Sequence, residues 1–485
     1  MRITLAFLTA ILVAFSCQNS IELESVIITG EVKEGDVEEV KFVGVIDNSI
    51  GGFGEHYVSK VDSGFQFSIE IPIDRLAKGR ISAGEIYQDM VLLPGDHYNI
   101  RLYQDSVYFK GKGAAKNNFL IALNQAGLGD RQYSAEYNKG MLPPIEFLEE
   151  MKDFMQKRVQ FLETYPEKSK LESEFKEYFR IETLVIYENR IHSYPRQYAR
   201  KNKVPADSLK LSEEYERLDC FENFMHDEKV ISFNYIHNLR NLIARKAIKL
   251  ADNDSTLSRE AALHIILLDS LRNKTKEYSL AQWLITELSG NRLDTILYNA
   301  FLDMEKDHIT EKTFKRHYLK FTEKQSLIGQ TLHTSFIETI IIDTSNTNLS
   351  FEDMLDKYKG KVVYLDIWSL RCAPCISAMP HSKALKERLV GLPIEFVYIA
   401  QDPPSPNVWN EIFKVTATDE NHYRMDDHIW GTAKMLQFME IDWVPCYMIF
   451  DKQGKLIDFN ANRPYVQENN ESALETRLKQ LAIEY

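Results

Sequence analysis

Between Ile21 and Gly113 short apolar runs alternate with turn residues at a period of two. Phe65, Phe67, Ile69 and Ile71 fall on one face of a predicted strand. Val26–Ile28, Lys41–Ile46, Val91–Leu93 and Val107–Phe109 read as further strands. Gly51-Gly52, Ser63-Gly64 and Pro94-Gly95-Asp96 supply turn signals. The pattern predicts a small antiparallel β-sandwich over 21–115. From 116 to 325 the period becomes helical. Ile145, Leu148, Met151, Phe154 and Met155 recur at helical spacing, and Phe179, Leu184, Ile186 and Tyr187 do so more loosely. His264–Leu271 and Leu280–Leu288 continue the pattern. Pro143-Pro144 suits a helix start, and Asp252–Ser255 separates two helices. No fixed repeat period marks a solenoid. Interleaved charges read as solvated faces, and no chemistry-bearing cluster stands out in this region.

From Leu327-Ile328-Gly329 onward strands and helices alternate. Lys361–Ile367 and Ile394–Ala400 read as buried strands, Ala373–Leu389 and Gly431–Met439 as helices. Cys446–Phe450 and Lys455–Asp458 flank Asp451-Lys452-Gln453-Gly454, a hairpin signal, and Ser472–Ala482 reads as a closing helix. A β-α-β half followed by a hairpin and a helix predicts an α/β thioredoxin-like fold over 327–485.

The length of 485 residues implies about three domains. A net charge of −13 argues against a nucleic-acid partner, which would want a basic face. Arg2 followed by the 13 apolar-rich residues Ile3–Phe15 has the form of a signal segment, shorter than the roughly 20 residues that span a bilayer. It ends at Ser16-Cys17, which resembles a bacterial lipoprotein processing site. The resemblance implies a signal peptide over 1–17, lipidation of Cys17, and a periplasm-facing protein held to the membrane by its lipid anchor. Ordinary secretion with cleavage nearby is the alternative.

The five cysteines are Cys17, Cys220, Cys372, Cys375 and Cys446. Beyond Cys17 they are too few for a disulfide framework, which points to a redox site instead. Cys372 and Cys375 bracket Ala373-Pro374 where a strand turns into a helix. At that spacing one thiol can attack a disulfide and the other resolve the mixed intermediate. Helix N–H groups and the helix dipole favour a thiolate at Cys372, the attacking position, and Arg371 adds positive potential. Pro374 restricts the loop. A zinc site would need a second ligand pair, and none is spaced for it, so no metal and no cofactor beyond the Cys372–Cys375 disulfide is expected. Cys446 and Cys220 read as buried core thiols, with a third redox thiol at Cys446 as the alternative.

Trp368-Ser369-Leu370-Arg371-Cys372-Ala373-Pro374-Cys375, with Asp366, Pro380 and Val444-Pro445 at fixed offsets, resembles thioredoxin-like reductases of the TlpA/ResA type. The resemblance makes Cys375 the resolving thiol, Asp366 a buried proton acceptor behind it, and Trp368 an aromatic packed under the loop. It makes Pro380 a kink in the active-site helix. Pro445 becomes a cis-proline opposite the disulfide, presenting the Val444 backbone to an extended substrate. Ala378 stands where ResA-like proteins often carry a glutamate. Asp62–Phe67, Leu93–Asp96 and Gly111–Gly113 resemble an N-terminal domain of unknown function found ahead of thioredoxin modules in Bacteroidetes lipoproteins. Asn462-Arg463-Pro464 also resembles a segment of those relatives.

The expected function is thiol–disulfide exchange with extracytoplasmic protein thiols and disulfides, as a reductase or isomerase, cytochrome c maturation included, fed by a membrane electron donor. A thioredoxin-superfamily peroxidase is one alternative: Ser369 fits three residues before Cys372, but Leu365 stands where peroxiredoxins hold proline. A surface binding lipoprotein with a vestigial redox site is another.

Overall fold

The computed structural model describes residues 24–34, 37–45, 55–84, 86–104, 106–129, 142–205, 208–218, 221, 225–332, 340–402, 407–416, 421–425, 444–466 and 470–483. Cys17, Gly51-Gly52, Cys220 and the helix predicted at Gly431–Met439 lie outside these residues. The chain divides into two compact units: 1–283 with 296–313, and 284–295 with 314–485. Among the described residues no helix is long and apolar enough to cross a membrane.

The first unit opens with eight strands: β1 (Glu24–Val32), β2 (Glu39–Val45), β3 (Glu55–Lys60), β4 (Gln66–Ile73), β5 (Ala77–Ala83), β6 (Ile86–Leu92), β7 (His97–Leu102) and β8 (Val107–Lys112). They form two four-stranded sheets, ordered β4-β1-β7-β8 and β3-β2-β5-β6. Alternation in β4, with Phe67, Ile69, Ile71 and Ile73 buried, sends one face inward. Val26, Ile28 and Ile100 from one sheet and Phe42, Ile81 and Met90 from the other join a single core. Two corrections follow. The pairing is not wholly antiparallel, because β1 runs parallel to β7. Phe65 is not on the buried face: Asp62 Oδ1 accepts from the amides of Gly64 (2.8 Å) and Gln66 (2.9 Å). That turn puts Phe65 at φ 61° with its ring exposed.

Helices follow: α1 (Ala114–Gln125), α2 (Pro144–Thr164), α3 (Ser173–Asn202), α4 (Glu213–Leu218), α5 (Tyr235–Asn253), α6 (Arg259–Ile265), α7 (Asn273–Ser289), α8 (Thr295–Leu302) and α9 (His308–Leu327). Pro144 opens α2, where its missing N–H costs nothing. Leu148, Met151 and Phe154 are buried, whereas Ile145 faces solvent. The α1 start is tied to the strands through Lys116. This fully buried ammonium lies 2.8 Å from Asp96 and 3.0 Å from Glu172. Asp96 also accepts from the Leu93 amide (2.7 Å) and the Tyr98 hydroxyl (2.6 Å). Gly113 sits at φ 88°, and a Cβ there would overlap Asp96 Oδ1.

The second unit is built on a seven-stranded sheet, β10-β9-β13-β12-β11-β14-β15. Its strands are β9 (Ile340–Asp343), β10 (Asn348–Ser350), β11 (Val362–Trp368), β12 (Ile394–Ala400), β13 (His422–Met425), β14 (Cys446–Phe450) and β15 (Leu456–Asp458). Its helices are α10 (Phe351–Asp356), α11 (Ala373–Arg388), α12 (Val408–Thr416) and α13 (Ala473–Ile483). Every residue of β11 is buried, as befits a central strand covered on both faces. Val363, Leu365 and Ile367 enter one core, with Cys446 and Met448. Val362, Tyr364 and Trp368 enter the other, with Cys375, Tyr447 and Leu478. The hairpin forms where Asp451 Oδ1 accepts from the amides of Gln453 and Lys455, at 2.9 and 2.8 Å.

Candidate active site

Strand β11 ends at Trp368 and helix α11 begins at Ala373, so only Ser369–Cys372 separate the middle of the sheet from the helix start. Cys372 is the N-cap: its Sγ accepts from the Cys375 amide at 3.1 Å. Pro374 lacks an N–H, which leaves the Cys375 amide as the donor in reach. Cys372 and Cys375 are joined as a disulfide, with Cα atoms 5.2 Å apart. Cys375 is sealed in while Cys372 keeps a small exposure of 8%. Arg371, Ala373 and Pro374 are exposed around it.

Val444 and Pro445 are joined by a cis peptide, and the Val444 carbonyl oxygen lies 3.5 Å from Cys372 Sγ. Two segments 72 residues apart thus meet at one sulfur. Pro380 lies inside α11, and Ala378 is buried.

Asp366 shares a face of β11 with Tyr364 and Trp368, the face whose core holds Cys375. Its carboxylate is buried, and neither oxygen has a hydrogen-bond partner among the described residues. Burial holds its carboxyl well above the ordinary carboxylate range. The protonated form is therefore favoured to higher pH than in an ordinary carboxyl, and the group can exchange a proton with a neighbour. Trp368 is fully buried, in the same core cluster as Cys372 and Cys375.

Cys446 pairs in register with Ile367, and its side chain enters the core on the opposite sheet face from the disulfide. Burial, and secondarily Asp366, push its thiol up to about 12. That thiol is inert at neutral pH.

Asp402 went unnoticed in the sequence. Buried just beyond β12, it accepts from the Ser369 hydroxyl (3.0 Å) and the Leu370 amide (2.7 Å). Ser369 Oγ in turn accepts from the Arg371 amide (3.2 Å), and its carbonyl accepts from the Cys372 amide (3.0 Å). The loop carrying Cys372 is pinned from below by one carboxylate. No local sequence signal marks it: an acid two residues after the end of β12 is ordinary in sequence.

Fold and site together define a class: an α/β domain with a vicinal dithiol at a helix N-terminus and a cis-proline segment against it. Residues 360–456 match the model of a thioredoxin-like family, so the second unit carries a thioredoxin-like domain. No curated protein matches the chain. Among solved structures, a candidate thiol-disulfide oxidoreductase from Bacteroides vulgatus is 22% identical, covering 32% of this chain and 96% of that chain at a TM-score of 0.25. The thioredoxin domain of another thiol-disulfide oxidoreductase from Bacteroides vulgatus is 16% identical, over 30% and 91%, at 0.23. The exposed lipoprotein thioredoxin of Streptococcus pneumoniae is 18% identical, over 29% and 97%, at 0.21.

Proposed function

We propose that this protein is an extracytoplasmic thiol–disulfide oxidoreductase that reduces or isomerises disulfides of other envelope proteins. The observation that carries the reading is the Cys372–Cys375 disulfide at the start of α11, with the less buried of its two cysteines, Cys372, beside the Val444 carbonyl. In the reduced enzyme the Cys372 thiolate attacks a substrate disulfide, forming a mixed disulfide and releasing one substrate thiolate. Cys375 then attacks Cys372 Sγ, the internal disulfide forms, and the second substrate thiolate leaves. Two electrons pass to the substrate, and two protons follow them.

Asp366 takes the proton from Cys375. Arg371 favours the Cys372 thiolate, Pro374 limits the loop, and Trp368 supports it from below. Pro445 turns the Val444 backbone toward the cysteines, where an extended substrate segment can pair with it. Lipidation of Cys17 would hold the enzyme at the membrane facing the periplasm, where a membrane donor re-reduces it. Apocytochromes are one class of client. The β-sandwich of 21–115 serves binding or spacing.

Dithiothreitol-driven insulin reduction tests the reading. The protein accelerates turbidity, Cys372→Ser abolishes the acceleration, and Cys375→Ser accumulates a mixed disulfide at Cys372. Equal rates for wild type and Cys372→Ser would sink it. Rapid peroxide consumption with a sulfenic acid at Cys372 would favour a peroxidase instead.

A further inference from the structure

Three of the polar groups buried behind the disulfide lack a hydrogen-bond partner among the described residues: both Asp366 oxygens, Trp368 Nε1 and the Tyr447 hydroxyl. They belong to one sheet face. Asp366 and Tyr447 are direct partners in the β11–β14 register, and Tyr447 lies in the same core as Trp368 and Cys375. A buried polar group with no partner is rare enough to need a reason, and movement of a proton is one.

Tyr447 stacks on Tyr364, centroids 5.4 Å apart and planes 8° from parallel. The outer end of this pair meets the segment Asn462–Tyr465. The Tyr364 hydroxyl donates to the Asn462 carbonyl at 2.9 Å, and Arg463 Nη1 donates to the Tyr465 hydroxyl at 3.5 Å. Arg463 and Tyr465 are exposed. Asp366, Arg463 and Tyr465 all act electrostatically on the Tyr447 hydroxyl. The Asn462-Arg463-Pro464 stretch, which the redox chemistry leaves without a part, therefore sits at the solvent end of a line that ends at the buried acid.

We propose that Tyr447 is a positioning residue that passes protons between Asp366 and solvent at Arg463 and Tyr465, and so keeps the Cys375 step running. This rests on the thiol–disulfide reading of the same site. During resolution the Cys375 thiol gives its proton to ionised Asp366, and the Cys375–Cys372 bond forms as the Cys372–substrate bond breaks. The departing thiolate takes a proton from solvent. Asp366 is readied beforehand: its own proton passes through one water to the Tyr447 hydroxyl as that hydroxyl releases its proton to solvent water, so in a single turnover this loss precedes the Cys375 step. The other groups around Asp366 are poor conduits. Tyr364 donates to a backbone carbonyl, Tyr398 shares a hydrogen bond with Ser382 (3.1 Å), and Cys446 faces the far side of the sheet. From α13 the buried Glu475 is held by Arg388 (3.4 Å) and Lys479 (2.9 Å).

The test is a single turnover of the reduced full-length protein with oxidised glutathione, quenched in acid and read by intact mass from pH 5 to 9. Attack by Cys372 and release of the second glutathione are timed separately. In Tyr447→Phe the attack is unchanged and resolution slows about tenfold at neutral pH, below the 10²–10⁴ of a whole acid–base group. Tyr447→Phe/Asp366→Asn is no slower than Asp366→Asn alone, as two members of one route require. Arg463→Met, at an exposed position, slows resolution about threefold and keeps the test open if Tyr447→Phe does not fold. Resolution rates in Tyr447→Phe, or failing that in Arg463→Met, that match wild type at every pH would overturn the proposal. A wild type that forms no mixed disulfide would instead overturn the thiol–disulfide reading.

Discussion

Asp366→Asn turns the buried carboxyl into a stability measurement. The side chains are nearly isosteric, and only the aspartate titrates. Folded, Asp366 keeps its proton well above 3.8, its ordinary value, because burial penalises the charged form. In the unfolded chain it loses that proton near 3.8. Between the two values the folded state binds more protons, so wild-type stability falls as pH rises through the window. The fall is up to about 1.4 kcal/mol per pH unit, and the asparagine variant lacks it. Below pH 3.8 both side chains are neutral and the difference is a constant offset. With a urea slope of about 2 kcal/mol/M, each pH unit in the window moves the variant midpoint about 0.7 M further above wild type. Four of the five tryptophans belong to the second unit, so fluorescence in urea at pH 4, 5, 6 and 7 follows its unfolding in the oxidised protein. Midpoints that move in parallel for the two proteins would refute the reasoning, whatever their absolute values.

The remaining expectations are quick to check. Asp402→Ala strands the Ser369 hydroxyl and the Leu370 amide, lowers the urea-derived stability by about 1–3 kcal/mol, and slows insulin reduction by loosening the Cys372 loop. Cys446→Ala leaves insulin reduction intact, and the Cys446 peptide of native protein stays unalkylated by iodoacetamide at pH 8 until denaturant is added. Lys116→Ala leaves the buried Asp96 carboxylate uncompensated and costs about 3–5 kcal/mol in chemical denaturation, whereas Lys116→Met/Asp96→Asn costs less than the sum of its single changes.

The redox loop was legible because its residues are chemically loud. Asp366 interrupts an apolar strand, and Cys372, Cys375 and Pro445 stand beside apolar strands at offsets that few structural needs would produce. The well-read strands were those whose apolar residues dominate, such as Ile394–Ala400, which matches β12 residue for residue. Strands β3, β5 and β7 went unread because their exposed faces carry Glu, Lys, Arg and His, so only every second residue signals burial. Strands β9 and β13 are four residues each and acquire their identity from neighbours in the sheet. Asp402 was silent for a related reason. An acid after a strand is ordinary in sequence, and only the fold brings it to Ser369, 33 residues away. The parallel β1–β7 pair depends on a long-range choice that no local pattern records.

The register of β14 has a consequence for the folding chain. Because side chains alternate, a slip of one residue would turn Cys446 from the far core toward Cys372 and Cys375. Three sulfurs would then compete for one bond on the same side of the sheet. In the native register the central sheet acts as an electrical insulator: the spare thiol lies one strand away and out of circuit. A chain that oxidises before β14 has found its pairing could close the wrong loop. Correct strand pairing is thus a precondition for the redox centre as well as for the core.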